Sequence, residues 1–81
     1  MNEPNAIIAN WAVPFLLSLL LELFLEKKNK IVTYQEIENY VWEGDYVSSE
    51  SIRSLIRRLR KIFENKYIET VIDVGYKFNS N

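Results

Sequence analysis

The hydrophobic positions of this chain fall into blocks of different period, and the periods predict the elements. Between Ser49 and Phe63 the residues Ile52, Leu55, Ile56, Leu59, Ile62 and Phe63 recur at i, i+3, i+4, i+7, i+10 and i+11. A helix advances about 100° per residue, so all six form one apolar stripe. Arg53, Ser54, Arg57, Arg58, Arg60 and Lys61 fall on the other side, with Glu50 at the start and Glu64 at the end. A helix that buries one face and offers a row of arginines on the other suits contact with phosphates and base edges.

Upstream, Ala6–Leu25 is interrupted only by Asn10, Pro14, Ser18 and Glu22. A membrane span needs about 20 apolar residues, but Glu22 and Asn10 would stand in or near hydrocarbon at a cost of kcal/mol each. Pro14 opens a helix more naturally than it sits in mid-span, and the start Asn-Glu-Pro lacks the basic region of a signal peptide. The pattern instead predicts a first helix from Pro14 to Lys27. Ser18, Glu22 and Glu26 make a narrow polar strip on it, and apolar residues cover the remaining ~240°. A surface helix needs a stripe little wider than about 100°. Either residues 6–13 or a second copy of the chain, packed on 15–25, must therefore cover what the other elements leave open.

Glu26–Lys30 reads as a charged turn and Ile31-Val32 as a short edge strand. Thr33-x-x-Glu36 is a capping box, opening a second helix that runs to about Trp42 with Tyr34, Ile37, Tyr40 and Val41 as its apolar side. Glu43-Gly44-Asp45 breaks it, and Ser48 or Ser49 caps the arginine helix. Tyr67–Val71 alternates like a strand. Ile72–Gly75 is the connection, where Gly75 can supply a positive φ, and Tyr76–Phe78 returns. Met1–Asn5 and Asn79–Asn81 read as disordered tails of one domain, 1–81. The expected fold is α+β, mainly α: three helices plus a C-terminal β-hairpin wing, a winged helix-turn-helix, with Ile31-Val32 pairing as a third strand.

Composition narrows the chemistry. The 81 residues hold no Cys and no His, which removes the thiolate nucleophile, the cysteine zinc site and the commonest general base. The remaining carboxylate, Lys, Ser and Tyr side chains do not cluster by spacing, so no enzyme, metal or cofactor is expected. A chain this short buries only about 60% of its unfolded surface, so its core is thin. The net charge of −1 is unevenly spread. Residues 1–50 carry three cations and eight anions, and residues 51–81 seven cations and three anions, so the positive end lies on the arginine helix.

The chain resembles the DNA-binding effector domain of OmpR/PhoB-type bacterial response regulators from about Phe15 to Phe78. The resemblance rests on Ile37-x-x-x-Val41-Trp42, on Ile56-x-Arg58-Leu59-Arg60-Lys61, and on Tyr67-Ile-Glu-Thr-Val71 followed by Val74-Gly-Tyr-Lys-Phe78. It implies a cytoplasmic transcription regulator of a two-component system. Its partners would be double-stranded DNA and, in a full-length protein, a receiver domain and a sensor kinase. Helix 49–64 would lie in the major groove and wing 67–78 on adjacent backbone. By position, Arg53, Ser54 and Arg57 are implied to face base edges, and Arg58, Arg60 and Lys61 groove edge or phosphate. Trp42, Thr70, Tyr76 and Lys77 are implied to meet the backbone.

Three departures stand out. Ile72 and Asp73 replace the Arg-Gly of the family wing, Glu50 stands where the family often has an arginine, and the residues before Pro14 leave no room for the family's N-terminal four-stranded sheet. Structural alternatives stand beside several assignments. Arg58 could pair with Glu36 or Glu38, and Arg60 with a carboxylate. Trp42 could be a core lid, and Tyr76 could simply pack the hairpin. The acidic pI, the lost wing arginine and Glu50 leave open a rival reading, a winged helix used for protein contacts or dimerisation.

Overall fold

The first helix carries a proline in its first turn, and the described residues bury one side of it. In a computed structural model, which describes residues 12–80, helix α1 spans Val13–Glu26. Pro14 lies in its first turn, and Ala12 at the N-cap gives no side-chain bond. Leu20, Leu23 and Phe24 are buried, Leu16, Leu17, Leu19 and Leu21 are partly covered, and Phe15 and Leu25 face outward. Residues 6–11, expected to help cover this helix, lie outside the described residues, as do residues 1–5.

Strand β1 (Ile31–Thr33) leads directly into helix α2 (Tyr34–Val41). The predicted capping box is formed: the Glu36 amide donates to Thr33 Oγ1 at 3.1 Å, and the Thr33 amide donates to Glu36 Oε1 at 2.9 Å. Glu36 has a second task. Its Oε2 accepts from Lys27 Nζ at 2.8 Å, so one carboxylate caps α2 and also fastens the end of α1. Glu43 and Gly44 then take positive φ and turn the chain into a loop. Ser48, one of the two serines offered by the sequence, caps helix α3 (Ser49–Ile62) by accepting from the Ser51 amide.

Leu55, Ile56 and Leu59 are fully buried, as the stripe predicts, but Ile62 is 62% exposed. It stands at the edge of the stripe in the last turn, about 80° from Ile52. Glu64 and Asn65, both at positive φ, turn the chain away immediately afterwards. The wing is β2 (Ile68–Val71) and β3 (Gly75–Phe78), antiparallel, and β1 pairs on the far side of β3 to give the order β1-β3-β2. Tyr76 and Phe78 point into the core. Phe78 stacks on Phe24, and the Phe63 and Tyr67 rings close around it.

Two expectations are corrected here. Gly75 is not a positive-φ residue; Asp73 is, at φ 65°. Gly75 lies in the central strand opposite Thr33, and a Cβ on it would collide with the Val32 carbonyl and the Thr33 backbone. The glycine is there for close strand approach. Asn79 and Ser80, read as tail, are bonded: the Asn79 amide donates to the Tyr67 carbonyl at 2.8 Å, and the Ser80 amide to Asn29 Oδ1 at 3.0 Å.

Arg60 lies beside the buried stripe and faces the wing rather than a carboxylate. Its Nη2 donates to Thr70 Oγ1 at 2.6 Å and its Nε to the Ile68 carbonyl at 3.3 Å, with the guanidinium 5.7 Å from the Tyr76 ring centre. Replacing Arg60 with Ala should cost about 1–2 kcal/mol in urea unfolding, the worth of one charge-assisted bond and a partly exposed ring contact. Arg57→Ala should stay within about 0.5 kcal/mol of the parent. Equal losses from both would mean that Arg60 does not brace the wing.

Glu36 gives a pH signature. The bond from Lys27, and then that from the Thr33 amide, hold its carboxyl below the usual carboxylate range. A group with a lowered folded pKa contributes stability above its unfolded value and loses it as pH falls through the folded one. Glu36→Gln keeps an acceptor for the cap but removes the charge. Its melting temperature should lie below the parent's at neutral pH, and the gap should close between about pH 5 and 3. A gap constant with pH would mean that the charge contributes nothing.

Candidate nucleic-acid interface

The amphipathy of α3 divides its residues between core and surface. Ile52, Leu55, Ile56 and Leu59 are fixed inside, so the opposite face must look outward. Ser54, Arg57, Arg58 and Lys61 line one shallow open hollow along that face. From Ser54 to Lys61 they span about two turns of the helix. Among the described residues no carboxylate pairs with Arg58 or Lys61. Glu36, offered as a partner for Arg58, is held by Lys27 instead.

At the start of the helix, Glu50 pairs with Arg53 at 3.3 Å and with Arg57 at 3.9 Å. These pairs are exposed, and such contacts stabilise a fold by little, so both guanidinium groups are available to an incoming anion. The wing turn approaches the same end. Asp73 lines a second groove with Tyr34, Glu38, Val47, Ser49, Ile52 and Arg53. The tip therefore presents an anion and Ile72, which is 78% exposed, where the related wing pattern has arginine.

The remaining candidates separate by burial. Thr70 is at the surface but its hydroxyl is engaged by Arg60. Lys77 is half-buried on the outer face of the sheet, opposite Glu69 and Ile31. Trp42 is the C-cap residue of α2 and packs against the core, as its alternative reading allowed. Tyr76 is only 4% exposed and meets Tyr34 edge-to-face, and burial pushes its hydroxyl pKa up. It packs the hairpin and does not present its ring to a surface partner. The structure thus brings Arg53, Ser54, Arg57, Arg58 and Lys61 together, sets Arg60 and Thr70 between helix and wing, and draws Tyr76 inside.

Glu50 was legible as a departure from the family pattern, but not its pairing with Arg53 and Arg57. Its spacing of three and seven residues from Arg53 and Arg57 was the available signal. Among the described residues, no helix is long and apolar enough to cross a membrane.

Comparison with known proteins agrees with this architecture. Over 60 residues the chain is 43% identical to the transcriptional regulatory protein CrdR of Helicobacter pylori, a match covering 74% of this chain and 28% of CrdR. The chain thus spans little more than a quarter of that relative's length. The DNA binding domain of E. coli CadC superposes with a TM-score of 0.71 at 28% identity, over 78% of this chain and 64% of that one. The C-terminal domain of the nisin resistance regulator NsrR, a lantibiotic response regulator, superposes with a TM-score of 0.67 at 22% identity, over 94% of this chain and 77% of that one, and shares the fold. The family described as "Transcriptional regulatory protein, C terminal" matches residues 17–78, and the chain, with its winged helix of three helices and a small antiparallel sheet, belongs to it.

Proposed function

We propose that this chain is the sequence-specific DNA-binding module of a bacterial transcription regulator, with α3 in the major groove and the wing against adjacent backbone. The observation that carries this reading is the outward face of α3, where Ser54, Arg57, Arg58 and Lys61 surround one open hollow. Arginine matches guanine O6 and N7 with two parallel bonds, and each such pair is worth about 1–3 kcal/mol of discrimination. Arg53, Ser54 and Arg57 are assigned to base edges, Arg58 and Lys61 to phosphate or groove edge, and Lys77 to backbone. Arg60 and Thr70 act through the wing they brace. In a full-length regulator this module would work in the cytoplasm behind a receiver domain addressed by a sensor kinase. The similarity to CrdR, a transcriptional regulatory protein, supports the regulator part of that setting.

A second component of the proposal is a homodimer through α1, residues 15–25. Phe15 is 63% exposed on a helix that is otherwise apolar around most of its circumference, and a second copy would remove that surface from water.

Fluorescence anisotropy of labelled duplex at several salt concentrations tests the DNA reading. Affinity should fall steeply with salt, with a log–log slope of several units, because each neutralised phosphate releases counterions. Arg57→Ala should weaken binding to the selected site by more than about 1 kcal/mol. Absence of binding at low salt would overturn the assignment in favour of a protein-contact module. Sedimentation at high micromolar concentration tests the second component: a dimer is expected, and a monomer removes it.

A further inference from the structure

Glu50 is the anion at the head of the exposed face of α3, in its first turn. Glu50, Ser54, Arg57 and Lys61 follow at i, i+4, i+7 and i+11, one line down the helix at about 100° per residue. Arg53 and Arg58 flank that line. The Glu50 side chain is 67% exposed, and each of its oxygens meets a different guanidinium, Oε1 that of Arg53 and Oε2 that of Arg57. An acid in the first turn of a helix is favourable for the helix dipole, which accounts for an acid in that turn but not for its standing on the same line as Arg57 and Lys61.

A carboxylate there repels every phosphate, so on a DNA-binding face it lowers affinity for duplexes in general. What it can gain is a contact with a donor on a base edge. In the major groove guanine shows two acceptors and thymine an acceptor and a methyl group. Adenine shows a donor beside an acceptor, and cytosine a donor with no acceptor beside it. A carboxylate has no proton to give, so cytosine N4 is the group it fits. The guanine paired with that cytosine presents O6 and N7 to an arginine at the same level, and Glu50 already holds two arginines beside it.

We infer that Glu50 is a specificity-determining residue, accepting a hydrogen bond from the N4 amine of one cytosine while Arg53 and Arg57 orient its carboxylate. The inference deepens the DNA-binding reading and rests on it. First-turn residues of a recognition helix are the ones that reach base edges in helix-turn-helix complexes, and Glu50 stands in that turn.

Selection from a pool of randomised duplexes, run in parallel with the parent chain, Glu50→Ala and Glu50→Gln, tests it. The parent should prefer cytosine at one position by about fivefold or more. Glu50→Ala should lose that preference at that position alone, with the others unchanged. Glu50→Gln, which can both donate and accept, should move it towards adenine. If Glu50→Ala binds all duplexes more tightly with an unaltered base profile, Glu50 is only a repelling charge and the inference fails. If the parent binds no duplex at any salt concentration, the DNA-binding reading fails first, a result distinct from an unaltered profile. Glu50→Gln keeps the size and polarity of an exposed side chain, so its profile reports on the carboxylate and not on folding.

Discussion

Leu55, Ile56 and Leu59 are buried in one core cluster to which α1, α2 and the small sheet all contribute. Fully burying each such side chain is worth about 1.5–3 kcal/mol. That shared core sets the rest of the molecule. It explains why α1 is apolar over so much of its surface and why Phe24 reaches the sheet to stack on Phe78. It also explains why Gly75 must let β1 come close enough to close the layer. Once the buried face of α3 is fixed in this way, its arginine face has only one direction left.

Glu36 shows how a short chain economises on polar groups. A single carboxylate completes the α2 cap and receives the ammonium from the end of α1, so the group that starts one helix also joins it to the end of another. The Arg60 guanidinium works similarly between α3 and the wing. Both joins are side-chain contacts to elements that are not neighbours along the helix, and both lie at the rim of the core where water is only partly excluded.

Much of this was legible in the sequence because periodicity and capping are local. The stripe of α3 and the Thr33–Glu36 box follow from residues within a few positions of one another, while the pairing of Ile31-Val32 with the hairpin followed from the winged-helix order of elements. What was not legible depended on a second element. Gly75 looks the same whether it supplies a positive φ or admits a neighbouring strand, and only the position of β1 decides. Arg60 and Arg57 are equivalent as residue types, and only the location of Thr70 separates a brace from a surface cation. Tyr76 lies on the inner face of β3 beneath α3, so a residue that resemblance implied for the surface is enclosed. Asn79 and Ser80 look like tail until Tyr67 and Asn29 are seen beside them.

The bonds from Arg60 to Thr70 and Ile68 have one further consequence. They tie α3 to the wing, so that changing the span between the two would break both bonds. In the proposed complex, the distance from the floor of one groove to the neighbouring backbone would have to match that span, and groove width varies with base sequence even where no side chain touches a base. A duplex would therefore be measured as well as read, and the energy of bending it to that span would enter its selection.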